Sequence, residues 1–264
     1  MALEAALVEL QDLTERLRRD CPWDREQTVR TIVPHTVEEA YEVADAALAG
    51  SPAKLVDELG DLLFQVYFLA LLLSEDGHGD LETVAREVHA KLVRRHPHVF
   101  GDAEAKTAER VRERWEEIKS EQEGREGIFH DVPGSLPALL QARKVQRRAA
   151  AVGYDWPDLA GPLAKVREEL AELEEALDAS GMTTPETEPD AAVFGEVGDL
   201  LFTIANVARK LNVDPELALR ATTHRFVQRV EQAEQIAAGE GASWVDLDLE
   251  AQDRYYALAK EQLR

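Results

Sequence analysis

The sequence predicts an all-α protein that is built from two similar helical modules. Apolar residues recur at intervals of three and four, as in the leucines between Leu3 and Leu17, which is the spacing of an amphipathic helix. No convincing run alternates with the period of two that β-strands require. An acidic pattern occurs twice, once in each half of the 264 residues. That length suits two domains of ordinary size, and an apolar content of 45% is sufficient for packed cores.

Glycine and proline residues divide each half into predicted helices in the same order. These helices cover residues 3–19, 35–48, 52–75, 81–95 and 103–123 in the first half, and 137–151, 162–179, 191–211, 215–238 and 247–263 in the second. Pro34 suits the first turn of the helix at 35–48, where its missing N–H is not needed. Residues 124–136 are rich in glycine and proline. They form the predicted linker between an N-terminal module, 1–123, and a C-terminal module, 137–264.

The acidic pattern places pairs of carboxylates on two consecutive helices of each half. Residues three apart share one face of a helix, so two facing helices would bring four carboxylates together. The eight residues are Glu39, Glu42, Glu58 and Asp61 in the first half and Glu169, Glu172, Glu196 and Asp199 in the second. The first pair recurs after 130 residues and the second after 138, and the extra eight residues fall in a Thr/Pro/Glu-rich loop at 181–190. Register that survives an insertion indicates an internal duplication.

Such a cluster of like charges indicates a divalent metal site, because carboxylates repel one another unless a cation lies between them. Oxygen ligands favour Mg²⁺, or alternatively Mn²⁺. A di-iron site is disfavoured, since the one Glu-x-x-His, from Glu75 to His78, falls in a glycine-containing loop. Mg²⁺ held by carboxylates commonly meets a substrate phosphate, which predicts phosphoryl or nucleotidyl transfer to water. Gly60 and Gly198, beside the two aspartates, predict that another helix or a ligand approaches closely.

Two further spacings recur in both halves and predict a nucleotide site. One is a pair of cations four residues apart, and the other is an aromatic residue followed by a lysine four residues later. These pairs are Lys91 with Arg95 and Trp115 with Lys119 in the first half, and Arg225 with Arg229 and Tyr256 with Lys260 in the second. An aromatic ring and a cation on one helical face can stack on a base and hold a phosphate. The alternative is a packed ring beside cations that complement the helix dipole, but recurrence in both halves favours the nucleotide site.

Composition limits the classes of partner. A net charge of −22 disfavours nucleic acid and anionic membranes, although an anionic substrate can bind where metal ions and a few cations reverse the local field. Cys21 is the single cysteine, so an intrachain disulfide is impossible and a reducing compartment is expected. The first residues lack the basic and apolar segments of a secretory signal. A cytoplasmic protein is therefore expected.

Five segments of the first half, taken in order, resemble the MazG family. They are Cys-Pro-Trp-Asp-Arg-Glu-Gln-Thr (21–28), Glu-Glu-Ala-Tyr-Glu (38–42), Glu-Leu-Gly-Asp-Leu-Leu-Phe-Gln-Val (58–66), Arg-Arg-His-Pro-His-Val-Phe (94–100) and Trp-Glu-Glu-Ile-Lys (115–119). The resemblance extends to Val-Gly-Tyr-Asp-Trp (152–156) and covers nearly the whole chain. It implies an all-α nucleoside triphosphate pyrophosphohydrolase that forms a monophosphate and pyrophosphate with Mg²⁺, for house-cleaning or nucleotide-pool control. It also implies tandem modules of the four-helix-bundle type, whose bundle is completed by a partner chain in a homodimer.

The resemblance also implies roles for the matching residues of both halves. The eight carboxylates would ligate the metal, and the catalytic glutamates that orient or activate the water would be Glu38, Glu39, Glu168 and Glu169. Substrate contacts would be Lys54, Lys91, Arg95, Trp115, Lys119, Lys165, Arg225, Arg229, Tyr256 and Lys260. The second half departs at Ala192, which stands in the position of Lys54, and at Tyr256, which replaces Trp115. Equal activity of the two halves is therefore in question.

Two other functions are compatible with the sequence. The first is a narrow-specificity pyrimidine nucleotide pyrophosphatase of the same all-α class, which a panel of nucleotides would separate. The second is a non-catalytic acidic helical protein that binds a basic partner. That protein would release no pyrophosphate and would show no thermal shift with Mg²⁺ and nucleotide.

Overall fold

A computed structural model describes residues 2–101, 107, 127–130, 132–180 and 190–264. Within these residues it contains eleven α-helices, one 3₁₀ helix and no strand, which confirms the predicted all-α class. The chain divides into two compact units, Met1–Gly124 and Arg125–Arg264, and the division falls at the start of the predicted linker. The predicted helix at 103–123, apart from residue 107, and the loop at 181–189 lie outside the described residues.

Unit 1 is organised around one pair of long helices. Its helices are α1 (Ala2–Asp20), α2 (Pro22–Glu26), α3 (Val29–Leu48), α4 (Pro52–Glu75), α5 (Leu81–Arg95) and α6 (Pro97–Phe100). Helices α3 and α4 pack closely and run antiparallel, because only residues 49–51 separate them. Their shared core contains Ile32, Phe68 and Leu72, with Phe64 and Leu69 packed against it. Helix α1 covers α4 on another side.

The start of α3 differs from the sequence prediction. The helix begins at Val29 because Thr28 caps it: the Thr28 side chain accepts from the Thr31 N–H at 3.3 Å, and the Thr31 hydroxyl accepts from the Thr28 N–H at 2.9 Å. The placement of Pro34 in a first turn was therefore wrong, since Pro34 lies inside α3. Reciprocal capping satisfies donors at the true helix start, which proline spacing alone does not locate.

Unit 2 repeats the central pair of helices. Its elements are α7 (Ala138–Ala151), α8 (Ala160–Ser180), α9 (Ala191–Lys210), α10 (Pro215–Gly239), a 3₁₀ turn (Trp244–Asp246) and α11 (Leu249–Gln262). Helices α8 and α9 pack together as α3 and α4 do in unit 1, and α7 covers α9. Helices α10 and α11 form a second pair around Ala233, Ala237, Tyr255 and Ala259, all of them buried. The Tyr255 hydroxyl donates to Glu240 Oε2 at 2.8 Å, which ties α11 to the end of α10.

The equivalent helices α4 and α9 expose large apolar side chains. Val56 on α4 is 72% exposed and Phe194 on α9 is 75% exposed, and Leu59 and Leu201 beside them are also exposed. Among the described helices, α9 is the one whose length and composition could cross a membrane. It nevertheless carries Glu196 and Asp199, and their charge would be costly in lipid.

Candidate metal centre

The first carboxylate cluster forms where α3 and α4 face each other. Glu39 of α3 and Glu58 and Asp61 of α4 each bring one oxygen within 4.8 Å of the others. The three-residue spacing puts Glu58 and Asp61 on one face of α4, and the antiparallel pairing sets Glu39 opposite them. Glu58 is buried, Glu39 is half-buried and Asp61 is exposed. The cluster is therefore a notch that opens from the helix interface to solvent.

Burial and mutual repulsion disfavour the charged forms of these acids. Burial raises the pKa of Glu39, and the negative charges of Asp61 and Glu42 raise it further. Burial likewise raises the pKa of Glu58, followed by the charge of Glu42. Glu42 contributes to the shift of both residues, so it lies near the cluster, and its role as a metal ligand stays a prediction. A divalent cation between these acids would offset both the repulsion and the cost of burying their charge.

The second cluster consists of the same residue types, but its buried acid lies on the first helix of the pair instead of the second. Glu169 of α8 and Glu196 and Asp199 of α9 bring their oxygens within 4.8 Å of one another. Here the α8 residue, Glu169, is the buried one, whereas in the first cluster it is the α4 residue. Burial raises the pKa of Glu172, and the charges of Glu169 and Glu196 add to this, against the opposing charge of Lys165. Glu172 therefore lies close to Glu169 and Glu196.

Lysines pair with the clusters in both units, but from different helices. Lys54 Nζ on α4 lies 3.7 Å from Glu58 Oε1, and its side chain is 58% exposed. Lys165 Nζ on α8 lies 2.7 Å from Glu169 Oε1 and 2.8 Å from Glu168 Oε1. These two hydrogen bonds raise the pKa of Lys165 above its ordinary range. The sequence interpretation assigned both lysines to substrate and missed these pairs, although spacings of three and four residues would have shown them.

The histidine at the register of Lys165 behaves differently. His35 Nδ1 lies 3.7 Å from Glu38 Oε2, and the Glu38 side chain is 65% exposed. In the described part of unit 1 the structure shows no ion pair between His35 and Glu39. Glu38 and Glu168 are thus exposed next to their clusters. Glu38 lies beside His35, and Glu168 lies beside Lys165.

The predicted nucleotide contacts fall on other helices. Lys91 and Arg95 lie at the end of α5, Arg225 and Arg229 on α10, and Tyr256 and Lys260 on α11. The Tyr256 ring lies 5.9 Å from that of Phe226 and packs beside the core of α10 and α11. The side chains of Lys91, Arg225, Arg229 and Lys260 form no ion pair with either cluster in the residues that the structure covers. Trp115 and Lys119 lie outside the described residues.

The two glycines beside the aspartates lie at exposed positions. A Cβ added to Gly60 or Gly198 would meet no described atom within 4 Å. Close approach by another helix or a ligand at these positions stays a prediction. Their openness leaves room above the carboxylates.

Comparison with known proteins identifies the family. The profile of the MazG nucleotide pyrophosphohydrolase domain matches residues 27–100, which include the whole first cluster. A nucleoside triphosphate pyrophosphohydrolase of Escherichia coli K12 is 41% identical over 260 residues, which span 96% of this chain and 96% of that protein. The chain belongs to the MazG family. The nucleoside triphosphate pyrophosphohydrolase/pyrophosphatase MazG of Thermotoga maritima is 39% identical over 256 residues, which span 96% of this chain and 94% of that protein.

Membership in the MazG family decides between two of the functions that the sequence left open. The near-complete coverage of both relatives extends the similarity to unit 2 and its cluster. An enzyme of the nucleoside triphosphate pyrophosphohydrolase family is therefore favoured over a non-catalytic acidic interaction protein.

Proposed function

We propose that this MazG-family protein hydrolyses nucleoside triphosphates to a nucleoside monophosphate and pyrophosphate in a reaction that requires Mg²⁺, for which Mn²⁺ can substitute. The observation that carries the proposal is the convergence of carboxylates from two helices in each unit, with oxygens within 4.8 Å of one another. Nothing in a helical fold requires like charges to meet at a half-buried interface, and their repulsion is costly without a cation.

The donor set fits a hard divalent cation. The proposed ligands are Glu39, Glu42, Glu58 and Asp61 in unit 1 and Glu169, Glu172, Glu196 and Asp199 in unit 2. Carboxylate oxygens are ligands that Mg²⁺ and Mn²⁺ accept readily, alongside water and phosphate oxygens. When bound, such an ion supplies charge neutralisation and Lewis acidity to a phosphate.

The glutamates of each acidic motif would handle the proton of the attacking water. As the water oxygen bonds to one phosphorus of the bridge between the α- and β-phosphates, the bond from that phosphorus to the bridging oxygen breaks, and monophosphate and pyrophosphate separate. The proton of the water passes to a carboxylate, for which we propose Glu38 or Glu39 in unit 1 and Glu168 or Glu169 in unit 2. Glu38 and Glu168 are exposed beside the clusters, whereas Glu39 is half-buried and Glu169 is buried within them, and this proximity supports the role.

The remaining cations and rings would hold the substrate. Guanidinium and ammonium groups suit the triphosphate, and an aromatic ring suits the base. The proposed contacts are Lys54, Lys91, Arg95, Trp115 and Lys119 for unit 1, and Lys165, Arg225, Arg229, Tyr256 and Lys260 for unit 2. Half-burial of Tyr256 beside Phe226 leaves part of its ring accessible for such stacking.

We also propose that the protein is a cytoplasmic homodimer with the two modules 1–123 and 137–264. The exposed apolar side chains of α4 and α9, led by Val56 and Phe194, support a partner helix against each of these faces. A second copy of the chain would complete each bundle. It would also bring cations of α5 and α10 close to the carboxylates.

Pyrophosphate release over all common ribo- and deoxyribonucleoside triphosphates, with and without Mg²⁺, tests the proposal. Release of pyrophosphate and monophosphate in equal amounts, only with the metal, is the expected result. Turnover confined to one pyrimidine nucleotide would select the narrow-specificity enzyme instead. Absence of release from every nucleotide would overturn the proposed function.

A further inference from the structure

We infer that Lys165 balances part of the negative charge of the second carboxylate cluster when no metal is bound. A divalent metal must displace the Lys165 ammonium group, which then pairs with a bound triphosphate. This role for Lys165 rests on the proposed function and specifies how metal and substrate binding are linked in unit 2. Lys165 Nζ lies 2.7 Å from Glu169 Oε1, and Glu169 is one of the three acids whose oxygens converge.

Lys165 contacts the most buried acid of the cluster. Glu169 is 4% exposed, whereas the Lys165 side chain retains 35% of its exposure. The lysine thus reaches from the open side of the notch to the acid at its base. An ion pair with a buried carboxylate is screened less than a surface pair, so it competes more strongly with a metal for the same carboxylate.

Unit 1 lacks this arrangement at the same register. His35 stands 130 residues before Lys165, and its Nδ1 is 3.7 Å from the exposed Glu38. Lys54 reaches Glu58 from α4, but at 3.7 Å and with a side chain that is 58% exposed. In the described part of unit 1, neither side chain makes a contact with its buried acid as short as that of Lys165.

Displacement of Lys165 need not leave its charge without a partner. The ammonium lies on the exposed side of the notch and also contacts Glu168, so a small change of side-chain rotamer carries it towards solvent. A triphosphate bound above the cluster offers it phosphate oxygens. Metal binding then releases Lys165 from Glu169, so that its ammonium group pairs with the triphosphate. The bound triphosphate in turn keeps Lys165 away from the carboxylate that binds the metal. The two ligands therefore strengthen each other's binding in unit 2.

The test is a titration of the full-length chain with Mn²⁺, in which electron paramagnetic resonance measures the free ion. The first cluster is silenced by Glu58→Gln with Asp61→Asn, so that only the second cluster binds. Lys165→Met should then tighten the dissociation constant about tenfold, the scale expected when a like charge a few ångströms from the ion is removed. Lys165→Arg, which keeps the charge, should stay within about threefold of the parent.

The matched experiment is made in unit 1, with the second cluster silenced by Glu196→Gln and Asp199→Asn. His35→Lys, which copies the arrangement of unit 2, should weaken Mn²⁺ binding severalfold, and Lys54→Met should tighten it less than Lys165→Met does in unit 2. Equal effects of Lys165→Met and Lys165→Arg would overturn the role of Lys165 while leaving the metal-dependent function intact. If neither of the two cluster-silenced chains bound Mn²⁺, both the role of Lys165 and the metal-dependent function would be overturned.

Discussion

The carboxylate clusters of the two units use the same residues at the same register and differ in how their charge is balanced. In unit 1 the buried acid is Glu58 on α4, and its lysine is distant and exposed. In unit 2 the buried acid is Glu169 on α8, and Lys165 holds it at 2.7 Å. The two units thus share the same acids, but the lysine beside them lies on α4 in unit 1 and on α8 in unit 2. A repeated ligand set does not guarantee equal metal affinity or equal activity.

The largest expected effect comes from removing one acid of each cluster together. Glu42→Gln with Glu172→Gln should lower pyrophosphate release by at least about 10³-fold, because each change removes a carboxylate that is proposed to hold the Mg²⁺ that balances the charge of the triphosphate. Initial rates with a saturating triphosphate and Mg²⁺ measure this. Glu9→Gln with Glu175→Gln, at exposed positions of α1 and α8, is the matched control and should keep parental rates. Full activity of the cluster variant would remove these acids from the mechanism.

Silencing one cluster at a time sharpens the comparison between the units. Glu58→Gln with Asp61→Asn and Glu196→Gln with Asp199→Asn should each remove about half of the Mn²⁺ bound at saturation, because each unit supplies one cluster of its own. Equilibrium dialysis measures the bound ion, and circular dichroism checks that helix content is unchanged. Loss of all bound metal from either variant alone would show that the clusters are not independent.

The raised pKa values of Glu39, Glu58 and Glu172 predict how metal stabilisation depends on pH. A folded-state pKa above the unfolded value contributes stability at low pH that is lost as pH rises through the folded value. Mg²⁺ replaces those protons, so its stabilising effect should be small near pH 4.5 and grow as pH rises above that ordinary glutamate value. At 100 times the dissociation constant the gain is about 2.7 kcal/mol. Thermal unfolding with Mg²⁺ or with EDTA measures it, and a gain that falls with rising pH would contradict the assignment.

A smaller difference between the units concerns backbone stability. Pro34 interrupts the hydrogen bonds of α3, whereas Ala164 occupies the same register in α8. Pro34→Ala should stabilise unit 1 by up to about 3 kcal/mol, and Ala164→Pro should destabilise unit 2 by a similar amount. Chemical denaturation of the two variants measures both changes. An unchanged midpoint for Pro34→Ala would mean that the rest of α3 already compensates for the proline.

The sequence predicted the long helices of the described residues and three converging acids in each unit, because both depend on local spacing. Three-residue intervals placed Glu58 and Asp61 on one face, and matching offsets revealed the second cluster before any tertiary contact was known. The pairing of Lys165 with Glu169 was also readable from spacing, yet its importance was not. That depends on the burial of Glu169, which is a property of the packing of α8 against α9.

Other features could not be derived from local patterns. The capping by Thr28 and Thr31 moved the start of α3 ahead of Pro34, because hydrogen bonding at the helix end outweighs the preference of proline for a first turn. The exposed position of Gly60 and Gly198 likewise depends on which face of α4 and α9 the rest of each unit covers. Sequence spacing gives the face of a helix but not what packs on it.

The most direct test of the central claim is anomalous diffraction from crystals grown with Mn²⁺ and a non-hydrolysable nucleoside triphosphate. We predict a manganese peak between α3 and α4, bound by Glu39, Glu42, Glu58 and Asp61, and a second between α8 and α9 at the equivalent acids. Phosphate oxygens should lie on the same ions. Carboxylates turned apart into solvent, with no manganese between either pair of helices, would contradict the account.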